Sequence, residues 1–236
     1  MGVRTETTRM NVAVVTVGDE LLAGQTTNTN ATWLCEHLVE RGVDVERVTT
    51  VPDRTQDIAR VVNEYRAEYD AVIVTGGVGP THDDVTMDGV AAALGRELEE
   101  HETALAWLEA DGYSRSDLTD GTADLPAGAR PLHNEVGVAP GAVIEDVYVL
   151  PGVPAEMRGM FASIEPAFSG TATYRETVTT PEPESALLER LEQLRERFDV
   201  SVGSYPGESV RITVESTDEE TVAEAADWLR TRVETV

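Results

Sequence analysis

Apolar and polar positions follow one another along this chain in regular blocks, and the blocks predict an ordered succession of strands and helices. Asn11 to Val17 and Ala71 to Thr75 are continuous apolar runs rich in valine, the pattern of strands buried on both faces. Between them, Thr29 to Glu40 places Ala31, Leu34, Cys35, Leu38 and Val39 at helical spacing, and Gly42 stands just past the last turn as a stop. Val43 to Val51 predicts another strand. Thr55 then caps a helix that carries Ile58, Val61, Val62 and Tyr65 inward. Strands and helices alternating in this way imply right-handed crossovers and a mostly parallel α/β sheet covered on both faces.

Further along, Glu99 to Tyr113 reads as a solvated helix, Asp117 to Arg130 as loop, and Ala142 to Leu150 as one strand. Pro154 suits the first position of a helix ending near Phe161. Ser169-Gly170 reads as a linker. The pattern after it is strand (Ala172 to Val178), helix (Ser185 to Phe198), strand (Val200 to Ser204), strand (Val210 to Glu215) and helix (Glu219 to Val233). That predicts a small α+β layer with helices on one face of a short mixed sheet. The chain therefore divides into a polar tail over residues 1–10, an α/β domain over 11–169 and a small α+β domain over 170–236. The last is marginal as an independent fold, so it is expected to lean on the first domain or on another subunit, the latter making a homo-oligomer.

Charge changes the picture more than overall composition does. Forty-four acids face 18 basic residues, for a formal charge of -26, and every one of those basic residues is arginine. A strongly acidic surface without lysine fits a high-salt cytoplasm, where screening makes self-repulsion tolerable. It speaks against nucleic acid as a partner, because no basic stripe exists to neutralise phosphates. Without lysine there is no P-loop lysine, Schiff base or Ser-Lys dyad. Cys35 is the single cysteine, which excludes disulfides within the chain and cysteine-rich zinc sites, and its helical setting reads as a buried structural thiol. With a polar start and no apolar run near ~18 residues, neither a signal peptide nor a membrane partner is expected, and the location expected is cytoplasmic.

The candidate chemistry gathers beyond the strand ends, where parallel sheets bind ligands. Three loops leave those ends: Gly18 to Gly24, Pro52 to Arg54, and Gly76 to Asp84. Each carries acids, namely Asp19 and Glu20, then Asp53, then Asp83 and Asp84. The glycines Gly76, Gly77 and Gly79 let backbone approach a phosphate, and carboxylates from separate loops suit Mg2+ or a similar divalent cation. Asp84 reads as a metal ligand or as the N-cap of the helix opening near Thr86. Asp53 reads as a ligand or a turn residue, and Glu20 as a ligand or one solvated acid among many. Asn28 and Asn30 suit a sugar or base, or a helix cap. His82 lies in the glycine loop. Arg54 and Arg158 suit phosphate charge or structural ion pairs. Trp33, Trp107 and Trp228 read as packing residues.

Taken together, Gly18-Asp19-Glu20-Leu21-Leu22, Asn28-Thr29-Asn30, Asp53, Thr75-Gly76-Gly77-Val78-Gly79-Pro80-Thr81 and Asp83-Asp84-Val85-Thr86 resemble the molybdopterin-binding-domain superfamily. Within it, they are similar to the amino-terminal domain of the competence/damage-inducible protein CinA. The likeness continues through Asn134 to Gly141, Leu150 to Met157, and Gly203-Ser204-Tyr205-Pro206. It does not extend to the deamidase domain that many such proteins carry.

The resemblance implies a three-layer α/β sandwich and a small-molecule ligand, either a nucleotide diphosphate or a phosphorylated pterin such as molybdopterin. It implies metal-dependent hydrolysis of a diphosphate such as ADP-ribose or FAD, with adenylyl transfer to molybdopterin, or pterin binding alone, as the alternatives. Asp84 and Asp53 match the family's acidic positions; Glu20, read from its own loop, is the third metal candidate. Gly18, Asn28, Asn30, Gly76, Gly77, Gly79 and Thr81 fall in the matching ligand-binding loops.

Overall fold

The computed structural model describes residues 10–79, 81, 83–114, 118–119, 121–171 and 173–234. Nearly all of the amino-terminal tail, Pro80, His82, Asp117 and Ala172 lie outside the described residues. The chain divides into two compact units, one reaching Gly170 and the other beginning at Thr171.

The first unit is built on a six-stranded sheet in the order β2-β1-β3-β8-β7-β6. Strands β1 (Asn11–Val17), β2 (Asp44–Val51), β3 (Ala71–Thr75) and β8 (Val147–Leu150) run parallel, while β7 (Gly141–Ile144) and β6 (Arg130–Leu132) extend the sheet antiparallel. Alternation along β1 explains why its run is apolar throughout. Ala13, Val15 and Val17 face one core with α3 (Thr55–Glu68), α4 (Thr86–Leu94) and α5 (Glu102–Ala110). Val12 and Val14 face the other, with α2 (Thr29–Glu40) and α6 (Pro154–Ile164), while the one-turn helix α1 (Asp19–Leu22) lies in the loop after β1. The result is a helix–sheet–helix sandwich, as the resemblance implied.

Several elements differ from the sequence expectation. Ala142 to Leu150 is a hairpin, β7 and β8, that turns at Glu145, a non-glycine residue with φ 53°. Nothing in the local sequence marks that turn; Arg66 and Arg96 hold it by binding the Glu145 carboxylate. The helix expected from Glu99 begins at Glu102, because Leu98–Glu100 forms β4 against β5 (Asp124–Pro126). Part of the expected Asp117–Arg130 loop is therefore strand. The helix from Pro154 runs on to Ile164 before a short 3-10 turn, Glu165–Ala167.

The second unit follows the order β9 (Tyr174–Thr180), α7 (Glu184–Arg197), β10 (Ser201–Tyr205), β11 (Val210–Ser216) and α8 (Glu219–Arg230). Its sheet has the order β10-β11-β9, with β11 antiparallel to both neighbours, so it is not mixed as expected. The reason is topological: β11 inserts between the two strands joined by α7, and a hairpin forces it to run against both. Val178, Ile212 and Val214 pack with Leu187, Leu191, Leu194 and Leu229 as a separate core.

Candidate functional site

The four parallel strands end level with one another. Val17 pairs with Val51, Thr16 with Thr75, and Thr75 with Leu150. The segments leaving these ends surround a cavity of about 250 Å³. The sequence pointed to three of them; the structure adds a fourth, because Gly152 and Pro154 beyond β8 also line the cavity.

Glycine lets these segments approach one another. Gly76 has φ 106°, and a Cβ there would lie 2.2 Å from the Val17 carbonyl oxygen. Gly152 packs against it, its own missing Cβ falling 3.2 Å from the Gly76 Cα. At Gly77, with φ 58°, a Cβ would meet Thr86 Oγ1 at 2.7 Å and Asp53 Oδ1 at 3.1 Å, so the glycine loop lies directly on the aspartate of the second loop. The Thr86 hydroxyl donates to the Gly76 carbonyl at 2.7 Å, and the Thr75 hydroxyl to the Pro151 carbonyl at 2.7 Å, both out of solvent. These buried bonds fix the loop backbone.

Glu20, Asp53, Asp83 and Asp84 line this one cavity. Asp53 shows the electrostatic consequence. Its carboxyl titrates above the usual carboxylate range, first because of burial and then because of the charges of Asp19, Glu20 and Asp84; the Asp19 N–H, donating at 2.8 Å, opposes this. Helices α2 and α6 begin at the same cavity, which Thr29 and Pro154 line, and present the positive ends of their dipoles to it. The site therefore combines anionic side chains with cationic helix ends and lacks a lysine.

Asn28 both caps α2, accepting from the Ala31 N–H at 3.1 Å, and lines the cavity, donating to the Thr16 hydroxyl at 2.9 Å. Asn30 donates to the Gly152 carbonyl at 2.7 Å, joining the starts of α2 and α6. Its Oδ1 is buried and finds no partner among the described residues. Gly18, Gly76 and Gly77 line the cavity, but the N–H groups of Gly18 and Gly76 are already given to the Val51 and Leu150 carbonyls at 3.1 and 3.2 Å. Those two N–H groups serve the sheet edge.

Gly79 and Thr81 line a neighbouring cavity of about 220 Å³ instead, which shares Asp84 with the first. Asp84 is not a helix cap: the N-cap of α4 is Val85, without a side-chain bond, and Asp84 Oδ2 accepts the N–H of Thr81 at 3.0 Å and its hydroxyl as well. Sequence reading missed Thr16, whose hydroxyl is hidden in the β1 apolar run yet reaches Asn28; no local signal marks it.

Among the described residues, no three His, Cys, Asp or Glu side chains form a ready metal-binding group, so the expected trio of Glu20, Asp53 and Asp84 is not preassembled. Asp53 Oδ2 and Asp84 Oδ2 are each turned to local donors, and their like charges oppose closer approach. The donor set still fits a hard divalent cation of the Mg2+ kind, which takes one or two carboxylates and completes its shell with water and ligand phosphates. Among the described residues no helix is long and apolar enough to cross a membrane.

A mostly parallel sheet with glycine loops and acids beyond its carboxyl ends defines a small-molecule-binding α/β domain. The family model described as "Probable molybdopterin binding domain" matches residues 13–169, and a second, "FAD synthase, middle domain", matches residues 172–235. The chain belongs to the molybdopterin-binding-domain family. A Pyrococcus furiosus protein is 38% identical over 244 residues, covering 94% of this chain and 97% of its own length. A Thermococcus kodakarensis protein is 37% identical over the same shares, 94% and 97%. The crystal structure of the protein CinA, of unknown function, from Thermoplasma acidophilum is similar with a TM-score of 0.64 at 37% identity, covering 68% of this chain and 98% of that one.

Proposed function

We propose that the chain is a divalent-metal-assisted pyrophosphohydrolase that cleaves a nucleotide diphosphate such as ADP-ribose or FAD. The observation that carries this reading is the meeting of Glu20, Asp53 and Asp84, from three separate loops, on one cavity beyond the parallel strands. The match of the second unit to a domain of FAD synthase supports a dinucleotide ligand.

Asp84 and Asp53, with Glu20 from the first loop, would hold a magnesium-like ion. When bound, such an ion supplies Lewis-acid polarisation of the diphosphate and neutralises charge on the leaving phosphate. The helix starts of α2 and α6 favour the phosphates, and Asn30, whose Oδ1 has no partner among the described residues, orients the sugar or base.

A second reading, adenylyl transfer to molybdopterin or pterin binding alone, is favoured by the family match over the first unit. Incubation with ADP-ribose, with FAD, and with ATP plus molybdopterin, each with and without magnesium in molar potassium chloride, separates the readings. AMP released from ADP-ribose or FAD supports the hydrolase. Adenylylated pterin, or tight pterin binding without turnover, refutes it.

A further inference from the structure

We propose that Arg158 binds a phosphate group of the ligand at the rim of the cavity, between the first turns of α2 and α6. The inference rests on the reading of the cavity as a phosphate-ligand site. In a chain without lysine, the charge of an anionic ligand held among carboxylates is met by metal or arginine, and the sequence offers Arg54 and Arg158 as the arginines. The structure separates them. Arg54 faces Asp57 on its own helix, with Nη1 3.9 Å from the carboxylate. Arg158 is exposed and, among the described residues, forms no ion pair, although the chain holds 44 acids. Its guanidinium lies instead over the Trp33 ring, 5.5 Å from the centroid.

Its place follows from the helices. Arg158 stands four residues after Pro154, and Trp33 three after Asn30, and both Pro154 and Asn30 line the cavity. Each is therefore about one turn, roughly 5.4 Å of helix axis, behind the rim. Side chains on a helix lean toward its N-terminus, and both helices start at the cavity, so Arg158 and Trp33 stand just outside the residues that line it, on its side of their helices. The bond from Asn30 to the Gly152 carbonyl, 2.7 Å, fixes the two helix starts together.

The Trp33 ring is itself held, stacked on His37 at 3.7 Å and meeting Phe161 edge-on at 5.4 Å. An arginine resting its face on an indole keeps the donors along its edge for a phosphate, which they can engage two at a time.

The test is titration of the whole chain with inorganic pyrophosphate in the presence of magnesium, followed by calorimetry, alongside steady-state kinetics with ADP-ribose. Arg158→Ala should weaken pyrophosphate binding by about tenfold and raise KM by a similar factor, with a smaller effect on kcat. Arg158→Lys should recover only part of the loss, since an ammonium cannot make the paired contact. Circular-dichroism melts establish that the variants fold. Unchanged pyrophosphate affinity in a folded Arg158→Ala chain overturns the proposal, as does a parent chain that binds no pyrophosphate. Arg158-dependent binding in a chain that cleaves neither ADP-ribose nor FAD supports this assignment while removing the hydrolase.

Discussion

Asp53 Oδ2 accepts the backbone N–H of Asp19 at 2.8 Å, a bond across 34 residues that ties the loop leaving β2 to the loop leaving β1. Burial first, and then the charges of Asp19, Glu20 and Asp84, raise the Asp53 pKa against this bond. A carboxyl whose folded pKa lies above its unfolded value binds its proton more tightly when folded. Its ionisation therefore costs stability at pH above the folded pKa, and that cost disappears as pH falls through the folded value toward the ordinary carboxylate range. Asp53→Asn keeps an acceptor for the Asp19 N–H and removes the charge. Its melting temperature should match or exceed the parent's at neutral pH, and the gain should shrink in acid. Diphosphate turnover should fall about a hundredfold. Melts across pH, paired with the assay, check both halves.

Asp84 stands between two cavities and is held by the Thr81 N–H. Asp84→Asn should lower magnesium-dependent turnover by about a hundredfold or more while leaving the melting temperature within a few degrees of the parent. Full activity in this variant would remove the acid at the centre of the proposed function.

Gly76→Ala tests the packing of the glycine loop. With φ 106° and the Val17 carbonyl 2.2 Å from the added carbon, the loop must move. A loss of about 2 kcal/mol or more in urea unfolding is expected, together with lost ligand binding. A chain of parental stability would show that the loop shifts freely.

Asn28 serves α2 and the cavity at once. Asn28→Ala removes the cap on the Ala31 N–H and the bond to Thr16, so unfolding free energy should drop by about 1–2 kcal/mol. Asn28→Ser, which restores a cap but cannot reach as far, should recover stability more than ligand affinity.

The charge of -26 makes a prediction about solvent. Raising potassium chloride shortens the range of self-repulsion, so the melting temperature should climb from about 0.1 M to molar salt. A melting temperature that falls over that range would argue against a surface tuned to salt.

Much of the first unit was legible in the sequence. Its parallel strands and its first helices show in periodicities that each segment carries alone, and the acids at Glu20, Asp53 and Asp84 stand out by following strands. Register was not legible, and register puts Val17, Val51, Thr75 and Leu150 at one edge, bringing Gly152 to the cavity as a fourth contributor. The turn at Glu145 was invisible because distant arginines hold it, and β4 and β5 because three-residue strands have no period. By itself the sequence determined the element types, the absence of lysine and the glycines that a close approach demands. Tertiary structure alone decided that Gly79 and Thr81 face a second cavity, that Asp84 is no helix cap, and that Arg158 lies on Trp33. Periodicity is a property of one segment, whereas proximity depends on how segments far apart in the chain are paired and packed.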